Sequence, residues 1–177
     1  MFQELGIDIV TLANNHALDF GTDALLDTCS TLDDAGILRV GAGANLEEAK
    51  KPVFMEAKGR RIGFLGASRV IPEGSWNATS KGPGMLTTYD PALLLEEIKK
   101  AREVCDYLVV YVHWGIERDE RPQEYQRILG QRYIDAGADL VVGSHPHVMQ
   151  GLEYYKGKPI VYSLGNFVFG SSIAKTA

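Results

Sequence analysis

Cysteine is scarce: Cys29 and Cys105 are the only two in 177 residues, and they form no C-x-x-C pair. Both lie in segments with helical apolar spacing, so they read as small buried hydrophobes, and nothing suggests a thiolate zinc site. A disulfide between them needs Cα atoms within about 7 Å, which spacing does not show. Long apolar runs are also lacking. No stretch reaches the roughly eighteen residues a membrane-spanning helix needs. Basic charge is in deficit, with 18 Lys and Arg against 23 Asp and Glu and a net charge of −5. Without a basic stripe, the electrostatic footprint of a nucleic-acid binder is absent. Low-complexity tracts are missing as well. The opening residues, Met1 to Gly6, have neither the basic nor the apolar part of a signal peptide. They read as the last turn of a helix entering a strand, and imply that something upstream has been lost.

What is present suits a folded α/β domain. The composition is 45% hydrophobic over 177 residues, enough for a core and for one domain spanning 1–177. Strand and helix patterns alternate. Residues 8–13 (DIVTLA) form a short strand, and Thr22 caps a helix running to about Ala35, with Gly36 beyond it. A strand over 37–40 follows, and then Asn45 caps a brief helix. Residues 53–57 and 61–66 flank Lys58-Gly59 as a hairpin. Residues 68–89 are a long Gly-, Pro- and Ser-rich connection, a length that is usually functional. Asp90-Pro91 opens a helix reaching about Val104. YLVVYV (107–112) reads as a fully buried strand, a helix spans 123–136, and LVVG (140–143) is a further strand. A second hairpin turns at Lys156-Gly157. The alternation predicts a mixed sheet in an α/β domain.

The sequence has four histidines, and each follows a predicted strand: His16, His113, His145 and His147. Loops at the carboxyl ends of strands are where α/β folds place ligand sites. A single histidine there is ordinarily a satisfied polar group. Four of them, with none elsewhere, point to a shared metal site. In His145-Pro146-His147 an extended backbone would put both rings on one side, and Pro146 biases the residue before it toward that geometry. Neutral imidazole is a common ligand for transition metals. Asn15 reads equally as an amide ligand or a turn residue. Asp19 and Glu117 read as carboxylates that orient an imidazole, or as a cap and a solvated charge. Trp114 and Phe167 read as packing residues, and Asn166 after Gly165 as a turn residue.

Together, LANNHALDFG, VHWGIE, GADLVVGSHPHV and YSLGNFVF resemble the signature of the CapA family of capsule, or poly-γ-glutamate, synthesis proteins. That family is similar in turn to the calcineurin-like metallophosphoesterases. The likeness covers nearly the whole chain and is weakest over 68–89. Asn14-Asn15-His16 matches the phosphoesterase G-N-H motif with Asn replacing Gly. His113 matches the lone middle histidine. Gly143 to His147 matches G-H-x-H with one extra residue, Ser144. The resemblance implies Asn15, His113 and His145 on one divalent metal (Mn, Zn or Fe), His147 on a second, and His16 as general acid. It leaves Asn14, Asp19, Glu117 and Asn166 to orient these groups or touch substrate.

The implied fold is a layered α/β/β/α sandwich with mixed sheets, missing its N-terminal strands and their carboxylate ligands. The implied chemistry is two-metal hydrolysis of a phosphoester or of a linkage in an anionic polymer. The alternative is a non-catalytic polymer-binding or assembly component of a membrane synthase complex. The family also suggests a bacterial cell-surface, membrane-associated location, and an incomplete sheet suggests pairing between copies along an exposed edge.

Overall fold

The computed structural model describes residues 2–167. Its centre is a six-stranded mixed sheet in the order β4-β5-β7-β8-β10-β9. These strands are β4 (Val53–Ala57), β5 (Arg60–Ser68), β7 (Tyr107–His113), β8 (Leu140–Ser144), β9 (Met149–Tyr155) and β10 (Lys158–Leu164). β5, β7, β8 and β10 run parallel; β4 and β9 close the two edges as antiparallel hairpin partners. Two small sheets accompany it: β1 (Ile9–Thr11) parallel to β2 (Leu38–Val40), and β3 (Ala42–Gly43) against β6 (Gly84–Met85). The helices are α1 (Gly21–Asp34), α2 (Leu46–Ala49), α3 (Ala92–Arg102) and α4 (Glu124–Ala136). The expected mixed α/β architecture is present.

The core forms where α3 and α4 pack on one face of the large sheet. Leu108, Val110, Val112, Val141 and Ile160 alternate onto that face and are fully buried. Each such aliphatic side chain contributes about 1.5–3 kcal/mol relative to exposure. The central strand is therefore not buried on both faces, contrary to the reading of YLVVYV: Tyr107 is exposed, and Val109 and Tyr111 are half-buried. Helices cover one face only, so a period of two appears in a strand whose apolar run concealed it. Trp114 lies fully buried between Tyr133 and Tyr162, with ring centroids 6.3 and 6.2 Å away. Its indole N–H donates to the Tyr162 carbonyl at 2.9 Å. Any side chain at Gly143 would collide with that indole and with the β10 backbone, so the glycine is what lets Trp114 in.

Several local readings need adjustment. Thr22 does not cap α1. The flanking residue is Phe20, which makes no side-chain cap, and Gly21 already begins the helix. The tight turn from His16 into Gly21 starts the helix two residues earlier than a Thr22 cap would. Asn45 does cap α2, accepting from the Glu48 amide at 3.0 Å. Asp90 accepts from the Ala92 amide at 3.0 Å, and Pro91 flanks α3 instead of lying inside it. Both hairpin turns fall where expected, with Lys58 and Lys156 at positive φ ahead of Gly59 and Gly157. Within residues 68–89, a 3-10 turn at Gly74–Trp76 and strand β6 give the connection structure of its own. Cys29 is buried, Cys105 is partly buried, and both are free thiols.

β1 is not a strand of the large sheet. With β2 it lies across β5 at Gly66, where an added Cβ would sit 2.7 Å from the Thr11 hydroxyl and 2.9 Å from Val40. That close approach carries the loop after β1 to the carboxyl end of the neighbouring β7, which sets up the site.

Candidate metal centre

Three loops meet at the carboxyl ends of β1, β7 and β8. His113 ends β7 in register with Ser144, the last residue of β8. The His113 ring is bonded at both nitrogens: Nε2 is 2.8 Å from Asn15 Oδ1, and Nδ1 is 3.1 Å from Ser144 Oγ. His145 lies alongside, with ring centroids 4.7 Å apart, and His147 follows at 6.3 Å from His145. His147 Nδ1 is 2.7 Å from Asn166 Oδ1. His16, which is exposed, places Nδ1 2.8 Å from Asp19 Oδ2 and Nε2 3.3 Å from Asn15 Nδ2. Asn14 holds the loop's shape, its Oδ1 accepting from the His16 amide at 2.8 Å. Glu117 is exposed and is not hydrogen-bonded to any of the four imidazoles; its charge reaches His145 only at longer range.

The His145-Pro146-His147 segment is not extended. β8 stops at Ser144, and His145 and His147 adopt φ of 100° and 60°. The pairing seen in the strands gives way to a loop brace: the Trp114 amide donates to the Ser144 carbonyl at 3.0 Å, and Arg118 donates to the Pro146 carbonyl at 2.7 Å. Pro146 is buried. Non-glycine residues held at positive φ cost of order 1–3 kcal/mol and gather at functional sites. Phe167 does not pack either: it is 87% exposed.

Burial, reinforced by the neighbouring imidazoles of His145, His147 and His16, drives the pKa of His113 down to about 3. His145 is lowered too, chiefly by burial, with Glu117 opposing. Both rings are therefore neutral near pH 7, with a lone pair to offer. A consequence follows for stability. Between about pH 6.5 and 3 the unfolded chain binds a proton at His113 that the folded chain refuses. Stability should fall as pH drops through this window, by at most about 1.4 kcal/mol per pH unit for this group. Urea midpoints of metal-free protein at pH 7 and 5 should differ less in His113→Gln than in wild type; equal differences would contradict the assignment.

The donors can be tested for fit to a divalent ion. Two atoms each about 2.1 Å from one ion lie roughly 3.0–3.4 Å apart, at octahedral or tetrahedral angles respectively. Asn15 Oδ1 and His113 Nε2, at 2.8 Å, need only a slight opening. Among the described residues, the buried His145 Nδ1 has no hydrogen-bond partner. An orphaned nitrogen costs about 1–3 kcal/mol unless something ligates it. These atoms fit a metal. Among the described residues, no three His, Cys, Asp or Glu side chains form a group able to hold one.

The family described as "Bacterial capsule synthesis protein PGA_cap" matches residues 1–171. The chain belongs to this family. It is 39% identical to "Capsule biosynthesis protein CapA" of Bacillus anthracis over 98% of this chain and 43% of that protein. It is 38% identical to "PGA biosynthesis protein CapA" of Bacillus subtilis (strain 168), over 99% of this chain and 46% of that protein. The chain thus spans less than half the length of these capsule synthesis relatives. In solved structures, it is similar to a phosphatase of Mycoplasma pneumoniae (TM-score 0.59, 15% identity, 93% of this chain and 52% of that one). It is also similar to the Thermus thermophilus sulfate thiohydrolase SoxB (TM-score 0.61, 17% identity, 93% of this chain and 29% of that one). The fold of this family member is metallophosphoesterase-like.

One residue escaped the motif reading. Ser144 looked like an insertion before the first histidine, yet it is the hydroxyl against His113. It directly follows the strand predicted over 140–143, but only the register shows that it lies beside His113.

Proposed function

We propose that this chain carries the histidine half of a metal-dependent hydrolase site used in capsule, or poly-γ-glutamate, biosynthesis. Asn15, His113 and His145 would hold one divalent ion and His147 would help hold a second, of the Mn, Zn or Fe type. The observation carrying this is the buried, unpartnered His145 nitrogen beside a neutral His113 that already faces Asn15 Oδ1. When bound, such ions activate water and neutralise charge on an ester's oxygens. The chain's own contribution is orientation and a proton. The Asp19 carboxylate accepts a hydrogen bond from His16 Nδ1, so the proton given to a leaving group would be one carried at Nε2 of the doubly protonated ring. The His16 side chain is 68% exposed, so a leaving group can reach it. Imidazole exchanges protons readily near neutral pH. The substrate would be a phosphoester or a linkage in an anionic polymer.

A second reading is an accessory component that grips an acidic polymer, or a synthase complex, through the metal without turnover. Two observations favour it: the described ligands do not complete a metal group, and the relatives are named for a biosynthetic pathway, with no reaction stated. Pairing between copies along an edge strand would suit such a component. Elemental analysis of the intact protein after reconstitution with Mn²⁺ or Zn²⁺ tests both readings. At least one tightly held ion per chain is expected, and a metal-free result would remove the basis for either.

A further inference from the structure

Ser144, His113, Asn15, His16 and Asp19 form one unbroken line of hydrogen bonds, and chemistry dictates its direction. The Asp19 carboxylate only accepts, so His16 Nδ1 carries the hydrogen in their 2.8 Å contact. In the neutral ring His16 Nε2 then accepts, and the amide nitrogen of Asn15 donates to it at 3.3 Å. That orients the amide, leaving Oδ1, a pure acceptor, facing His113. His113 Nε2 therefore carries its hydrogen toward Oδ1 at 2.8 Å. Nδ1 of the same ring is left to accept, and the Ser144 hydroxyl is its donor at 3.1 Å.

This tautomer cannot ligate a metal at the place where Asn15 Oδ1 and His113 Nε2 meet, because Nε2 has no free lone pair. Resting on the metal-site reading above, we infer that Ser144 is a positioning residue whose hydroxyl reverses its hydrogen bond when a divalent ion binds. In the metal-free protein Ser144 donates to His113 Nδ1. With the ion present, the hydrogen moves from Nε2 to Nδ1, and Ser144 Oγ becomes the acceptor. The ring's proton count does not change; one N–H bond is lost and the other is formed. A hydroxyl is suited to this because it both donates and accepts, whereas a carboxylate or a backbone carbonyl would lock one tautomer. The placement is enforced by the fold. His113 and Ser144 are register partners at the ends of adjacent parallel strands, and the Trp114 amide fixes the Ser144 carbonyl at 3.0 Å.

The test uses the intact protein with ¹⁵N-labelled histidine, with Zn²⁺ as the only added ligand. The expected result is a protonated His113 Nε2 without metal and a protonated Nδ1 with it. Ser144→Ala should bind Zn²⁺ about 10–100-fold more weakly, the usual effect of removing a ligand's hydrogen-bond partner. Ser144→Thr, which keeps the hydroxyl, should stay within a few-fold of wild type. Thermal unfolding of each metal-free variant checks that the loop still folds. If His113 keeps one tautomer throughout, or Ser144→Ala binds as tightly as wild type, the switch is refuted and the metal site stands. If wild type binds no Zn²⁺, the metal-site reading itself falls, and this inference with it.

Discussion

His145→Ala is expected to weaken divalent-metal binding by more than about 100-fold, beyond the effect of losing a mere orienting partner. The metal-free protein should lose little stability. The substitution removes a half-buried imidazole whose buried Nδ1 has no hydrogen-bond partner among the described residues, so no hydrogen bond of that atom is given up. The φ of 100° remains a strain for alanine as it was for histidine. Affinity and stability should therefore separate, which distinguishes a ligand from a packing residue. Titration calorimetry with Mn²⁺ and thermal unfolding, run on the same variant, read the two quantities. A large loss of stability with affinity unchanged would make His145 a structural residue and take the site apart.

The second large effect concerns His16. If it delivers the proton, His16→Ala should lower turnover of a phosphoester substrate by about 10²–10⁴-fold. Metal affinity should shift by no more than a few-fold, since the hydrogen bond between His16 and Asn15, a proposed ligand, is a long one, 3.3 Å from the amide nitrogen. Asp19→Asn should produce a smaller loss, because the ring stays while the acceptor that sets its tautomer is weakened. Unchanged turnover in His16→Ala would exclude it as the acid. If that variant also retained polymer production in cells, the accessory reading would be preferred.

These two experiments bear on different links of one argument. The first asks whether strand-end histidines that the fold buries and strains are held that way for a metal. The second asks whether His16, which the fold leaves exposed, is open for a substrate. The capsule synthesis relatives are named for a pathway, and the phosphatase-like neighbours show only the fold. A shared fold does not carry a reaction with it.

Much of the site was legible before any coordinates. Histidines occurring only after strand patterns, in loops of an α/β alternation, are enough to expect convergence, because parallel strands end on one edge. The hairpin turns, the Asn45 cap and the alternation of elements also follow from local chemistry, in which each residue answers mainly to its near neighbours. The four motifs placed the chain in its family. What local pattern could not decide is where long-range contacts win. The extended geometry expected for His145-Pro146-His147 yields to the brace from Trp114 and Arg118, and His145 is driven to positive φ. The apolar run of β7 hides the fact that helices cover one face of the sheet only.

β1 reaches the site from a separate small sheet, made possible by the absence of a side chain at Gly66. Ser144 acquires its meaning from strand register alone. The sequence by itself determined which residues are the candidates: four histidines and Asn15, just after strand patterns. Only the tertiary structure decided how they are placed. Pairing and burial, which depend on partners as much as 98 residues away along the chain, leave His113 neutral and bonded at both nitrogens, His145 orphaned and His16 exposed.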